Sequence, residues 1–508
     1  MSEYVLAIDQ GTTGTTALLL DARGDVRARG YALLPQHYPQ PGWVEHDGGE
    51  VWDSVCAAVD GALRQIGVTG ASVGAIGITN QRETTLLWDR ATGAPVARAI
   101  VWQDRRTAPR CDALRRSGRA RAIGRRTGLV VDPYFSATKI EWLLRNVEGL
   151  RAHARRGALA FGTIDSWLVW KLSGGAVHAT DPTNASRTML FDLARRRWDD
   201  GLLDEFSVPR SLLPEVVPSS GVLARTGRAG VLPDGVPIAG IAGDQQAALF
   251  GQSCVAPGQS KNTYGTGCFL LFHTGARPVT SRAGLVSTIA CGPRGEPAYA
   301  LEGSVFIAGA AIQWLRDGLG VLANAAESEA LAGSVEDSGG VTLVPAFVGL
   351  GAPRWRADAR GALMGLTRGT TRAHLARAAL ESMAFQSREI IEAMASDVAR
   401  AHVRAPARRE LRVDGGAAAN DFLMQYQADL LGLPVVRPRV IETTALGAGL
   451  LAGLATGVWS DQKELARARV VERRFEPGRT RSWRESEMAR WRAAVAGVLA
   501  TADAGRSG

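Results

Sequence analysis

Short apolar runs alternate along the chain with longer stretches in which apolar positions return every three or four residues. Runs of the first kind suit strands buried on both faces and stretches of the second suit helices laid over them, so their alternation predicts an α/β architecture. Residues 4–8, 17–20, 75–79, 86–88 and 237–243 read as strands, and 51–66, 139–144 and 247–250 as helices. Residues 219–237, rich in Gly, Pro and Arg, read as surface connection. The Arg-rich tail from about residue 464 reads as helical.

One turn design occurs twice in that pattern. The strand at residues 4–8 meets Asp9-Gln10-Gly11-Thr12-Thr13-Gly14-Thr15-Thr16 and continues as a second strand; much later Asn262-Thr263-Tyr264-Gly265-Thr266-Gly267 leads into Cys268-Phe269-Leu270-Leu271-Phe272. Gly and Thr between β-formers give a tight turn whose exposed N–H groups can hold phosphate oxygens. Gly11 and Gly265 are 254 residues apart, half the chain. Two similar lobes clasping one nucleotide are therefore expected, with ATP-dependent chemistry. No Gly-Lys-Ser/Thr loop opens a helix, which excludes the P-loop scheme. A further Gly-rich turn, Asp414-Gly415-Gly416-Ala417-Ala418-Ala419-Asn420, is small enough to let an adenine or ribose approach the backbone.

At 508 residues the chain exceeds one ordinary core, and a boundary near residue 250 places one phosphate turn in each half, 1–250 and 251–508. The net charge of +9 raises the question of nucleic acid, but nearly all of it is scattered Arg, with Lys only at 139, 171, 261 and 463, so no nucleic-acid partner is expected. No apolar run reaches membrane-spanning length, since 445–457 is broken by glycines, and no leader is visible; the cytoplasm is expected. Five dispersed cysteines without a CxxC pair suggest buried thiols rather than a zinc site or disulfide framework.

Transfer of a phosphoryl group from ATP to an alcohol needs held phosphates, a divalent cation, an aimed hydroxyl and a carboxylate to take its proton. Asp9, closing a strand beside the first turn, is placed to bind Mg²⁺; Asp244, closing another, is the candidate general base. Arg82-Glu83 offers donors and an acceptor side by side for vicinal hydroxyls, and Trp102, Tyr134 and Phe269 could wall the C–H faces of a polyol.

These residues lie in longer strings: PGWVEHD at 41–47, GITNQRETT at 77–85, IVWQ at 100–103, TGLVVDPYFSATK at 127–139, DPTNASRTML at 181–190, GIAGDQQAALFGQ at 240–252 and KNTYGTGCF at 261–269. With PAFVGLGAP at 345–353 and DGGAAAN at 414–420, the chain resembles the FGGY carbohydrate kinases, and among them those acting on glycerol. The resemblance implies two actin-like, ribonuclease H-like ATPase domains with the active site in the cleft between them, ATP and Mg²⁺, and a homodimer or homotetramer. It implies glycerol contacts at Arg82, Glu83, Trp102, Tyr134, Asp244, Gln245 and Phe269, with Asp244 as base. Nucleotide contacts are implied at Thr12, Thr13, Gly14, Thr266, Gly309, Gln313, Gly416 and Asn420.

The chain departs from the resemblance at Gly14-Thr15-Thr16, where the family carries a phosphate-facing Arg; Arg354 and Arg356 are candidates to replace it. Residues 225–230 also lack the motif of members regulated by fructose 1,6-bisphosphate, so that regulation is not expected. The alternatives are a related kinase for a larger sugar or polyol and an actin-like ATPase that switches shape without phosphorylating a substrate. Neither accounts as well for an Arg-Glu pair beside three aromatics.

Overall fold

The structure, a computed structural model, describes residues 3–228, 230–403, 410–461, 464 and 470–505; Lys463 and most of the predicted helix just after 464 lie outside them. The chain forms two α/β domains, each on a mixed sheet. The first sheet contains β1 (Tyr4–Gln10), β2 (Gly14–Leu20), β3 (Val26–Leu33), β4 (Val73–Asn80), β5 (Ser220–Arg225) and β6 (Pro237–Gly243), in the order β5-β6-β4-β1-β2-β3. Helix α1 (Gly48–Gln65) covers one face, its N-terminus capped by the Asp47 side chain. After β6 the chain enters α2 (Asp244–Gly251).

The second sheet contains β7 (Ser260–Tyr264), β8 (Cys268–Gly275), β9 (Val286–Cys291), β10 (Pro297–Val305), β11 (Leu411–Asp414), β12 (Val435–Pro438) and β13 (Val471–Phe475), in the order β9-β10-β8-β7-β11-β12-β13. Both sheets join an antiparallel meander to parallel strands: β1 pairs antiparallel with β2 and parallel with β4, and β7 does the same with β8 and β11. The repeated Gly/Thr turn is the tip of the corresponding hairpin in each sheet. The helices between strands of the second sheet and after it include α3 (Gly309–Gln313), α4 (Asp421–Leu431), α5 (Thr443–Thr456) and α6 (Arg481–Ala504).

Helix α5 lies between β12 and β13 of the second sheet in sequence yet packs against β1, β4 and β6 of the first, and against α2. Small residues permit this approach: a Cβ on Gly77 of β4 would collide with the Ala448 carbonyl of α5. The apolar run at 445–457 is thus an interior helix, and no described helix is long and apolar enough to cross a membrane. Four of the five cysteines are buried.

Two readings of the sequence need correction. The supposed connection at 219–237 contains β5, an edge strand antiparallel to β6. The tail is not helical throughout: β13 precedes α6 and pairs with β12.

Candidate functional site

Parallel pairing brings distant residues to one sheet edge. In register, Asp9 lies beside Thr79 and Gln10 beside Asn80, while Asn80 lies beside Gly243. The next residues along each strand, Gln81-Arg82-Glu83 and Asp244, therefore emerge together beside the first Gly/Thr turn. Ladder pairing also places Thr16 directly opposite Asp9.

Arg82 and Glu83 are not a surface pair, being 2% and 1% exposed. Arg82 Nη1 donates to Glu302 at 2.6 Å and Nη2 to the other oxygen of that carboxylate at 3.0 Å. Its Nε lies 2.9 Å from Asp244 Oδ1, off the line of a hydrogen bond. Glu83 has a backbone φ of +61°, a conformation that costs on the order of 1–3 kcal/mol and persists where surroundings enforce it. Arg187 Nε holds its carboxylate at 2.6 Å and Ser136 donates to its carbonyl at 3.0 Å. Arg187 Nη2 also reaches Glu302, at 2.9 Å. Burial opposes the charge on Glu302, but Arg187 and Arg82 hold its carboxyl down at about 2. Burial pushes Glu83 up, against the same two arginines.

The aromatic wall forms around this network. Trp102 meets Tyr134 and Phe269 edge to face, with ring centroids 5.6 and 6.1 Å away. Phe306 adds a fourth ring, 6.3 Å from Tyr134. Trp102 Nε1 donates to Thr12 Oγ1 at 2.9 Å, tying the wall to the first turn, and a cavity lined by Trp102, Tyr134, Thr266 and Phe306 joins it to the second. Opposite stands Gln245, whose side-chain carbonyl accepts from Lys261; that ammonium also donates to Thr263 at 2.6 Å. Burial pulls Lys261 down to about 8, against the attraction of Asp414 and Asp244.

The remaining residues flank the space above the two turns. Gly309, at the start of α3, packs on the second turn and donates to the Gly265 carbonyl at 3.0 Å, while Gln313 at the end of α3 is exposed. Gly416 faces open space, and Asn420 caps α4 by accepting from Leu423 N at 2.8 Å. Thr13 is exposed at the tip of the first turn, where Gly14 opens β2. Arg354 and Arg356, the candidate replacement cations, are engaged with carboxylates: the first grips Glu389 through two bonds of 2.6 Å and the second pairs with Asp358 and Asp503.

Asp9 is the candidate cation ligand. Burial, then the like charge of Asp244, push its carboxyl up to about 7, the imbalance a cation would relieve. Among the described residues no three ligating side chains converge. Mg²⁺ fits such a site, because it takes few protein carboxylates and keeps phosphate oxygens and waters.

Reading the sequence missed Glu302, Arg187 and Lys261. Arg187 and Lys261 lay inside the strings that carry the resemblance, and Lys261 is one of only four lysines. Glu302 had a weaker signal, a lone charge in the otherwise uncharged strand β10.

Comparison with known proteins agrees with this geometry. The FGGY family of carbohydrate kinases, N-terminal domain, matches residues 4–251, and the C-terminal domain of that family matches 260–456. A glycerol kinase of Aromatoleum aromaticum is 60% identical over 97% of this chain and 98% of its own length. Glycerol kinase 2 of Thermotoga maritima is 54% identical over 98% and 99%. Among solved structures, Plasmodium falciparum glycerol kinase with ADP superposes with a TM-score of 0.87 at 34% identity, covering 98% of each chain. A gluconate kinase from Lactobacillus acidophilus, at 21% identity and TM-score 0.83 over 99% and 98%, shares the fold.

Proposed function

The chain belongs to the FGGY family of carbohydrate kinases, and from that premise we propose that it transfers the γ-phosphoryl group of ATP to glycerol, giving sn-glycerol 3-phosphate and ADP. The observation that carries the choice of substrate is one cluster: Arg82, Glu83 and Asp244 stand together against Trp102, Tyr134 and Phe269. Vicinal hydroxyls meet Arg82 and Glu83, the carbon backbone lies against the rings, and Gln245 lies beside the reacting end.

Asp244 takes the proton of the reacting hydroxyl as its oxygen forms a bond to the γ-phosphorus and the bond to the bridging β,γ-oxygen breaks, ADP carrying away those electrons. Arg82 and Lys261 orient Asp244 and Gln245 without supplying protons. Thr12, Thr13 and Gly14 on one side and Thr266 on the other bracket the phosphates, with Gly309 beside them holding the second turn through the Gly265 carbonyl; Gln313, Gly416 and Asn420 border the adenosine. Asp9 would hold Mg²⁺, which when bound neutralises phosphate charge. In this reading residues 1–250 supply the glycerol site and first turn and 251–508 the second turn and adenosine site. The reading places the enzyme in the cytoplasm, where ATP is abundant, as a homodimer or homotetramer to be weighed by light scattering.

Purified protein given Mg²⁺, ATP and a panel of glycerol, xylulose, erythritol and gluconate tests this. The expected result is ADP formation dependent on glycerol and matched by glycerol 3-phosphate. ATP hydrolysis indifferent to the panel would favour the shape-switching ATPase.

A further inference from the structure

The first phosphate turn carries no cation: Gly11 to Thr16 are all neutral, and the strand residue facing Asp9 is Thr16. The cations nearest the reacting end are already engaged, Arg82 and Arg187 with Glu302 and Lys261 with Gln245 and Thr263. A polyphosphate arriving beside Asp9 and Asp244 would meet mostly like charge on this side.

The neighbouring strand β3 supplies what the turn lacks. Ladder pairing puts Tyr31 opposite Thr16 and Arg29 opposite Leu18, so both share the face of the sheet that carries Asp9. Tyr31 leans toward the turn: its hydroxyl lies 2.6 Å from where a Cβ on Gly14 would stand, so any larger residue at 14 would displace it. The Arg29 guanidinium sits over the Tyr31 ring, 5.6 Å from its centroid. Arg29 Nε lies 3.2 Å from Glu442, immediately before α5, with both side chains partly exposed. Ile441, the residue before Glu442, accepts from the Gly415 amide at 3.2 Å, which ties this point to the Gly415–Gly416 turn. Arg29 is thus linked through Tyr31 to the first phosphate turn and through Glu442 and Ile441 to the turn proposed for adenosine.

We propose that Arg29, seated on Tyr31 and tethered by Glu442, is the phosphate-binding cation on the first-sheet side of the cleft, exchanging Glu442 for the nucleotide's phosphates when ATP or ADP binds. The proposal deepens the kinase reading and rests on it. A guanidinium stacked on an aromatic ring loses little freedom when it forms charge-assisted bonds to phosphate. Glu442 holds the guanidinium at this position until phosphate displaces it.

Calorimetric titration with ADP and with adenosine, together with steady-state kinetics, tests the proposal on the full chain. Arg29→Ala should weaken ADP binding and raise the KM for ATP tenfold or more, leaving adenosine affinity and the KM for glycerol within twofold. Glu442→Gln, which releases Arg29 from its competitor, should leave ADP binding equal or tighter. Adding Thr16→Arg to the Arg29→Ala variant, which returns a cation to the same face, should recover at least part of the loss. ADP affinity within twofold of the parent in a folded Arg29→Ala variant would overturn the proposal, as would equal losses for ADP and adenosine. A parent that binds neither ADP nor ATP would instead overturn the kinase reading.

Discussion

Glu302 of the second sheet accepts at 2.6 Å from Arg82 of the first, across 220 residues of sequence and with neither side chain more than 1% exposed. With Arg187 and Glu83 it forms a four-membered buried ion network beneath the candidate glycerol pocket. Removing one member leaves uncompensated charge out of water. Glu302→Gln should therefore destabilise the protein by about 3–5 kcal/mol, the range for breaking a buried pair. Denaturant unfolding checks this, and any folded fraction should show a raised KM for glycerol as Arg82 is no longer fixed. A stability change below about 1 kcal/mol, the scale of an exposed pair, would contradict the network's role.

The pocket should discriminate by hydroxyl count. A substrate lacking one hydroxyl leaves a group at Arg82 or Glu83 buried and unpaired, at a cost of about 1–3 kcal/mol. Converted at 1.4 kcal/mol per tenfold, 1,2- and 1,3-propanediol should have kcat/KM roughly 5- to 150-fold below glycerol. Equal values would remove these residues from substrate recognition.

Three buried histidines should cost the fold stability as the solution is acidified, against the opposite effect of the buried carboxyls Asp9 and Asp165, both pushed up to about 7. Burial pulls His46, His178 and His273 each down to about 4 from an ordinary value of 6.5. At these three positions the unfolded chain binds protons that the folded chain refuses, so the histidines' contribution is full above about pH 6.5 and is lost as pH falls toward 4. At pH 5 each histidine accounts for at most about 2 kcal/mol. Denaturation temperatures across pH 5 to 7.5, compared between the parent and His46→Gln, check the direction: relative to the variant, the parent should lose stability on going from pH 7.5 to 5, and an unchanged difference would contradict it.

The two hairpins, β4, β6 and the Asp414 turn were legible because each joins a short β-forming run to Gly, Thr or Asp at its end, signals that depend on nearest neighbours alone. β5 and β13 were not. Both are sheet-edge strands whose side chains face solvent, so β5 carries Gly221 and β13 Arg473 and Arg474 where an interior strand would be apolar. For the site, Asp244, Arg82 and the aromatics could be named from residue type and string, but the groups that hold them could not. The pairing of Arg82 with Glu302 comes from the packing of two sheets. The packing of α5 on the first sheet likewise depends on small residues in partners far away in sequence.

The account stands most directly on Asp244 as the proton acceptor. Asp244→Asn keeps the shape but cannot accept the hydroxyl proton, and loss of a general base costs on the order of 10² to 10⁴ in rate. The decisive measurement is kcat for glycerol phosphorylation at saturating ATP, paired with ADP affinity in the same preparation. The account predicts a fall of that size with ADP affinity within threefold of the parent; a variant retaining more than half of the parent's turnover would contradict it.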